Sequence, residues 1–139
     1  MQRLYIPARW LSLSFGEGRG EVLFCPMIDA RRMEVYAAFY DVDNNEVRKT
    51  SADIIDENSY ADILNKSKVV FFGDGAEKCK EVLSHYANAV FIDNVFPSAR
   101  NMILLSGKAF NNRQFEDVAY FEPYYLKDFI AGIPASSVG

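Results

Sequence analysis

The chain has 139 residues, about one domain's worth, which argues against a two-domain enzyme. Half of the residues are hydrophobic and 14% aromatic, enough to bury a core that hides about 68% of the extended chain's surface, which excludes intrinsic disorder. Fifteen Lys and Arg against nineteen Asp and Glu give a net charge of -4, so no global positive field gathers phosphate backbones and independent nucleic-acid binding is disfavoured.

In residues 1–21, Gly16, Gly18 and Gly20 alternate with Glu17, Arg19 and Glu21, a polar run without period that reads as a lead segment or linker. Arg3, Pro7 and Arg9 interrupt its apolar residues, leaving no signal-peptide core. The run from Val22 to Ile28 is the longest apolar stretch, far short of the roughly 20 residues of a spanning helix, and it reads as a strand. Met33 to Tyr40 alternates, with Val35, Ala37 and Phe39 on one face, and the short turn Asp29 to Arg32 makes the two a hairpin. After a turn at Asp43, Asn44 and Asn45, Glu46 to Ile55 reads as a third strand completing an antiparallel meander.

Helices begin beyond it. Tyr60, Ile63 and Leu64 sit at i, i+3 and i+4 of a short amphipathic helix, and Lys68 to Phe72 is a buried-type strand ending at Gly73. Ala76, Cys79, Val82, Leu83 and Tyr86 line one helix face, and Ala89 to Ile92 is another short strand with a turn at Asp93 and Asn94. Pro97 and Ser98 set up an N-cap for a helix to about Asn111, with Met102, Leu105, Ala109 and Phe110 facing inward. Three antiparallel strands followed by helix, strand, helix, strand, helix predict an α/β fold, a single ribonuclease-H-like lobe with a mixed sheet.

Three segments concentrate chemistry. In the turn from Asp29 to Glu34, Asp29 and Glu34 could hold a cation, or Arg31 and Arg32 an anion; the competing structural reading is an Asx-type turn at Asp29 with Arg31 and Glu34 paired on the rim. Gly73, Asp74 and Gly75 close a strand and open a helix, a place where anions bind. Lys78 stands where a dinucleotide fingerprint has its third glycine, and Asp74 and Glu77 put negative charge there. The plainer reading is a tight turn whose glycines take positive φ and whose acids cap the helix. From Tyr120 to Phe129 the aromatics, with Glu122, Tyr124 and Tyr125 among them, are expected to fold back on the sheet or to offer a partner surface.

The single histidine, His85, rules out a hydrolytic zinc site assembled from several histidines, and it lies off the helix face of Cys79. Cys25 and Cys79 read as free thiols of a reducing cytoplasm. Neither a cofactor, a metal nor a catalytic group is expected.

The string Ile28 to Tyr36, followed by Gly73-Asp74-Gly75, Pro97-Ser98-Ala99 and Glu122 to Lys127, resembles the carboxy-terminal half of the TsaB (YeaZ) family over about residues 22–134, with 135–139 as a tail. That family belongs to the glycoprotease-like branch of the actin-like ATPase superfamily. The resemblance implies a non-catalytic subunit in tRNA threonylcarbamoyladenosine modification, partnered by a TsaD-like transferase and a TsaE-like ATPase. The D-T-S strand start and G-P-G-S-F-T-G stretch of the family's amino-terminal lobe do not occur here, which implies a truncated form.

Two other readings stand beside it: a remnant sugar-kinase-like or hydrolase domain using Gly73 to Gly75 for nucleotide and Asp29 for metal, and a plain interaction module. A lone lobe is also expected to expose apolar surface, covered by Leu4, Tyr5, Trp10, Leu11 and Phe15 folding back or by weak homodimerisation.

Overall fold

The computed structural model describes residues 21–123, 125 and 126. Strand β1 (Val22–Asp29) hydrogen-bonds antiparallel to β2 (Glu34–Tyr40), which in turn pairs antiparallel with β3 (Glu46–Ile54). A one-turn helix, α1 (Ala61–Leu64), leads to β4 (Lys68–Phe72), laid parallel to β1 on the side away from β2. Helix α2 (Ala76–Leu83) then carries the chain to β5 (Ala89–Ile92), parallel to β4. The sheet order is β3-β2-β1-β4-β5, the mixed sheet of a single ribonuclease-H-like lobe. Between β2 and β3 the register slips, once between Ala37 and Phe39 and again between Phe39 and Tyr40.

Alternation along the strands divides the core in two. On one face Leu23, Cys25 and Met27 of β1, Val35, Ala37 and Phe39 of β2, and Val69 and Phe71 of β4 meet Leu64 of α1 and Ala76, Cys79 and Leu83 of α2. Phe39 and Phe71 are fully buried, each contributing about 1.5–3 kcal/mol by burial alone. Rings of Phe39 and Tyr60 meet edge to face at 5.0 Å, and Phe71 stacks on Phe91 at 5.1 Å. On the opposite face Phe24, Val70 and Phe72 are buried, ringed by half-buried Val22, Val90, Ile92 and Val95.

The helices depart from expectation at their ends. Tyr60 precedes α1 in the left-handed region, φ 61°, so its ring reaches the core from outside the helix. Helix α2 stops at Leu83, leaving Tyr86 beyond it though packed on the core. Ser98 does cap, its Oγ accepting from the Arg100 N–H at 3.3 Å, but it opens a 3-10 turn (Ala99–Met102) ahead of helix α3 (Ile103–Asn111).

The inward face expected of that helix is found only in part, with Leu105 and Ala109 half-buried. Met102 and Phe110 are exposed, Phe110 by 68%, and no described residue of α3 is buried. The helix follows Pro97 and the 3-10 turn and leaves Met102, Ile103 and Phe110 exposed to solvent. The rings after it do not fold back on the sheet either: Tyr120, Phe121 and Tyr125 are exposed, Tyr120 by 84%. Amphipathic spacing fixes that one stripe is apolar, not what lies against it. Residues 1–20, Tyr124 and residues 127–139 lie outside the described residues, and with them the fold-back of the lead segment and the ring of Phe129.

Candidate functional site

In an open α/β sheet, ligands bind beyond the carboxyl ends of the strands where the strand order reverses. Here the chain winds from β1 outward to β2 and β3 on one side and through β4 to β5 on the other. The reversal falls between β1 and β4. Asp29 ends β1, and Gly73, Asp74 and Gly75 follow β4. Two segments more than 40 residues apart in sequence therefore share one corner: the Asp29 N–H donates to Asp74 Oδ1 at 3.3 Å, and the Gly75 N–H to the Met27 carbonyl at 3.1 Å.

Lys78, in the first turn of α2, closes that corner. Its ammonium donates to Asp29 Oδ1, to the Arg32 carbonyl at 2.6 Å and to the Glu34 carbonyl at 2.7 Å, so all three of its donors are used. Asp29 Oδ1 also accepts from the Arg31 N–H at 3.0 Å, the expected Asx-type turn. The Lys78 hydrogen bond, with the Arg31 N–H second, holds the Asp29 carboxyl below its ordinary value. Lys78 and Asp29 form an ion pair that ties this turn to a distant helix. The hairpin carbonyls of Arg32 and Glu34 converge on the same ammonium. Arg31 and Arg32 sit at φ 77° and 45°, exposed, in a backbone region that usually selects glycine or asparagine.

The two glycines have different roles. Gly73 has φ +104°, and a Cβ there would stand 2.2 Å from the Met27 carbonyl oxygen. Gly75, expected at positive φ, has φ -80°. It is small for another reason: a Cβ would meet Ile28 C at 2.9 Å, and Asp29 N and Val35 Cγ1 at 3.0 Å. Helix α2 thus starts flush against the β1–β2 corner. The acids do not cap it as expected. Its N-cap is Gly75, without a side-chain hydrogen bond, and Asp74 turns to the Asp29 N–H while Glu77 lies in the first turn. The first N–H groups are satisfied internally, Gly75 by Met27 and Ala76 by the Gly73 carbonyl at 3.1 Å.

Glu122 and Tyr125 are exposed in the segment after α3, and among the described residues no hydrogen bond or ion pair joins them to this corner. Cys79 is buried, its thiol donating to the Gly75 carbonyl at 3.3 Å and pushed up to about 11 by burial. His85 is exposed, with Nδ1 2.9 Å from the Val82 carbonyl. Cys25 and Cys79 are free thiols. Among the described residues no group of three or more His, Cys, Asp or Glu is placed to hold a metal ion, and no helix is long and apolar enough to cross a membrane.

Sequence reasoning missed a second polar cluster, on β3. Arg48 pairs bidentately with Asp53 at 2.9 and 3.0 Å, and Asp53 also accepts from Ser51 Oγ at 2.8 Å and the Tyr60 hydroxyl at 2.7 Å. The guanidinium lies over the rings of Tyr60 and Phe39 at 5.2 and 5.6 Å. Beside this cluster, between β3 and α1, runs an open groove of about 530 Å³.

No protein-family model and no curated protein matches the chain. Among solved structures the chain is similar to an uncharacterized protein from Pseudomonas aeruginosa, itself described as similar to the peptidase YeaZ. The TM-score is 0.57 and the identity 20%, and the match covers 91% of this chain and 57% of that one. The chain thus spans a little over half the length of that protein. At this identity the likeness shows the fold, a ribonuclease-H-like, actin-like single lobe.

Proposed function

We propose that this chain is a TsaB-related lobe acting as a non-catalytic partner subunit in tRNA threonylcarbamoyladenosine modification, supporting a TsaD-like transferase, with a TsaE-like ATPase joining the complex in the cytoplasm. The observation that carries this reading is the Lys78 ammonium bonded into the corner where β1 and β4 end. A nucleotide phosphate at that corner would need free N–H groups at the start of α2 and room beside the glycines. The Gly75 and Ala76 N–H groups and the space beside both glycines are already taken by the protein itself. The YeaZ-like structural neighbour supports the family side of the reading. What such a corner offers instead is a rigid outer rim, with Arg31 and Arg32 held out to solvent beside Asp29 and Glu34.

Co-purification with the TsaD-like paralogue tests the proposal, together with restoration of the modified nucleoside in cells lacking TsaB. The paired substitution Arg31→Ala and Arg32→Ala is expected to weaken the complex at unchanged melting temperature. Calorimetry with magnesium and ATP separates this reading from that of a remnant nucleotide-binding enzyme. A saturable heat abolished by Gly75→Ala would overturn the proposal.

A further inference from the structure

The two faces of the sheet are covered differently. Leu64 of α1 and Ala76, Cys79 and Leu83 of α2 all belong to the core on the first face. On the second face the strand registers align Tyr40, Phe24, Val70 and Val90 in one row across four strands, with Pro26, Phe72 and Ile92 in the next. Tyr40, Phe24, Val70 and Phe72 keep at most 5% of their surface exposed. A sheet face reaches such burial only against another layer, since a face without one keeps its side chains in water. No described helix supplies that layer: α3 packs on the 3-10 turn ahead of it, and none of its described residues is buried. Among the described residues outside the strands, Val95 alone packs on this cluster. The burial is reached within one copy of the chain, so the layer belongs to the chain itself.

Besides Tyr124, two stretches stand outside the described residues, 1–20 and 127–139. The second is poorly made for a covering layer. Its Phe129, Ile130, Ile133 and Val138 are broken up by Gly132 and Pro134, and the chain approaches it through Tyr120, Phe121 and Tyr125, all exposed. The first carries Leu4, Ile6, Trp10, Leu11, Leu13 and Phe15 within twelve residues. It joins the sheet at Val22, the first residue of the central strand and itself packed on the second-face cluster. Five strands are roughly 19 Å across at about 4.8 Å spacing, a width that twelve residues cover whether helical or extended. Gly16, Gly18 and Gly20 lie between these apolar residues and β1, where the chain has to reverse to come back over the face.

We infer that the stretch from Leu4 to Phe15 lies across the second face of the sheet as its covering layer. Trp10, the largest side chain of the stretch, is then out of water against the apolar cluster of β1, β4 and β5. The lobe closes this face within one chain, which leaves the Asp29 to Glu34 corner and the exposed side of α3 as the surfaces a partner can reach.

Trp10 is the single tryptophan of the chain, so the fluorescence of the full, unaltered protein reads its surroundings directly. The expected emission is blue-shifted, and acrylamide should quench it several-fold less than in the urea-unfolded chain. Equal quenching in the two states would overturn the inference, because the layer would then have to come from residues 127–139. Location is read by replacing Trp10 with photoreactive benzoylphenylalanine and mapping the cross-links by mass spectrometry. Cross-links within one chain to β1, β4 or β5 are the expected result. Cross-links to α3 or to the segment after it would overturn the inference, as would a cross-linked species of twice the 15.8 kDa of the chain, which would mean that the stretch covers a second copy. Absence of any cross-link, with Trp10 freely quenched, overturns it equally.

Discussion

The packing of α2 against the end of β1 is tested most directly by adding one methyl group at a time to glycines. At Gly73 the backbone has φ +104°, outside the small left-handed well open to other residues, and holding a side chain there costs about 1–3 kcal/mol. The added Cβ would also lie 2.2 Å from the Met27 carbonyl oxygen, well inside contact distance, and the obstacle is backbone in a central strand. Overpacking of that kind adds a further ~1–3 kcal/mol. Gly73→Ala is therefore expected to lose about 2–6 kcal/mol, a large part of the ~5–15 kcal/mol that holds a domain folded. Gly75→Ala carries no φ penalty, only contacts at 2.9 and 3.0 Å, and should lose ~1–3 kcal/mol. At Gly107, inside α3, a Cβ meets nothing within 4 Å, so Gly107→Ala should stabilise the helix by up to about 1 kcal/mol. Urea unfolding followed by circular dichroism reads all three as shifts in midpoint at constant slope. The order Gly73, Gly75, Gly107 is the expectation. A loss under about 1 kcal/mol for Gly73→Ala would refute the flush contact between the β4–α2 turn and β1.

Other consequences are open to simple measurement. The Asp29 carboxyl, held below its ordinary 3.8 chiefly by Lys78, contributes stability that is present above that value and lost as pH falls through its depressed pKa. Lys78→Met should move its NMR titration upward and flatten the acid side of the stability profile; an unmoved titration would contradict the Lys78 contact. Asp53→Ala strands the Tyr60 hydroxyl and the Arg48 guanidinium and should cost about 1–3 kcal/mol, with Asp53→Asn costing less. Burial raises both thiols, Cys79 to about 11 and Cys25 well above its ordinary value, so a thiol reagent near neutral pH should label neither cysteine until urea unfolds the chain. His85→Ala, at an exposed position with its ring 4.0 Å from that of Tyr86, should change stability by under ~0.5 kcal/mol, and a larger loss would reveal a structural role for that ring contact.

Much of the lobe was readable in advance, because strand alternation and apolar runs reflect burial directly. Val35, Ala37 and Phe39 alternate in sequence and are buried together in the structure. The parallel placement of β4 and β5 follows from the helix that must carry the chain back across the sheet. What sequence could not show depends on long-range partners. Lys78 and Asp29 are 49 residues apart, so nothing local in the sequence points to their pairing. Gly75 looks like any turn glycine until Val35 and β1 are seen against it. Arg48 and Asp53 lie five apart on an ordinary edge strand, and only the arrival of Tyr60 from outside α1 turns them into a network. The outward stripe of α3 reads the same in sequence whether a sheet covers it or solvent does.

The slipped register between β2 and β3 bears on how the molecule stays dispersed. Among the described residues β3 is an edge strand of nine residues, and such an edge is where another chain could extend a sheet, the route to fibres. Two successive slips beside Phe39 stagger the β3 backbone, so a straight incoming strand would lose alignment before it passed Arg48. The side chains along that stretch, Arg48, Lys49 and Asp53 among them, would add charge to be desolvated at each step. The flank most open to endless addition therefore favours a finite encounter between side chains over a growing ladder of backbone bonds.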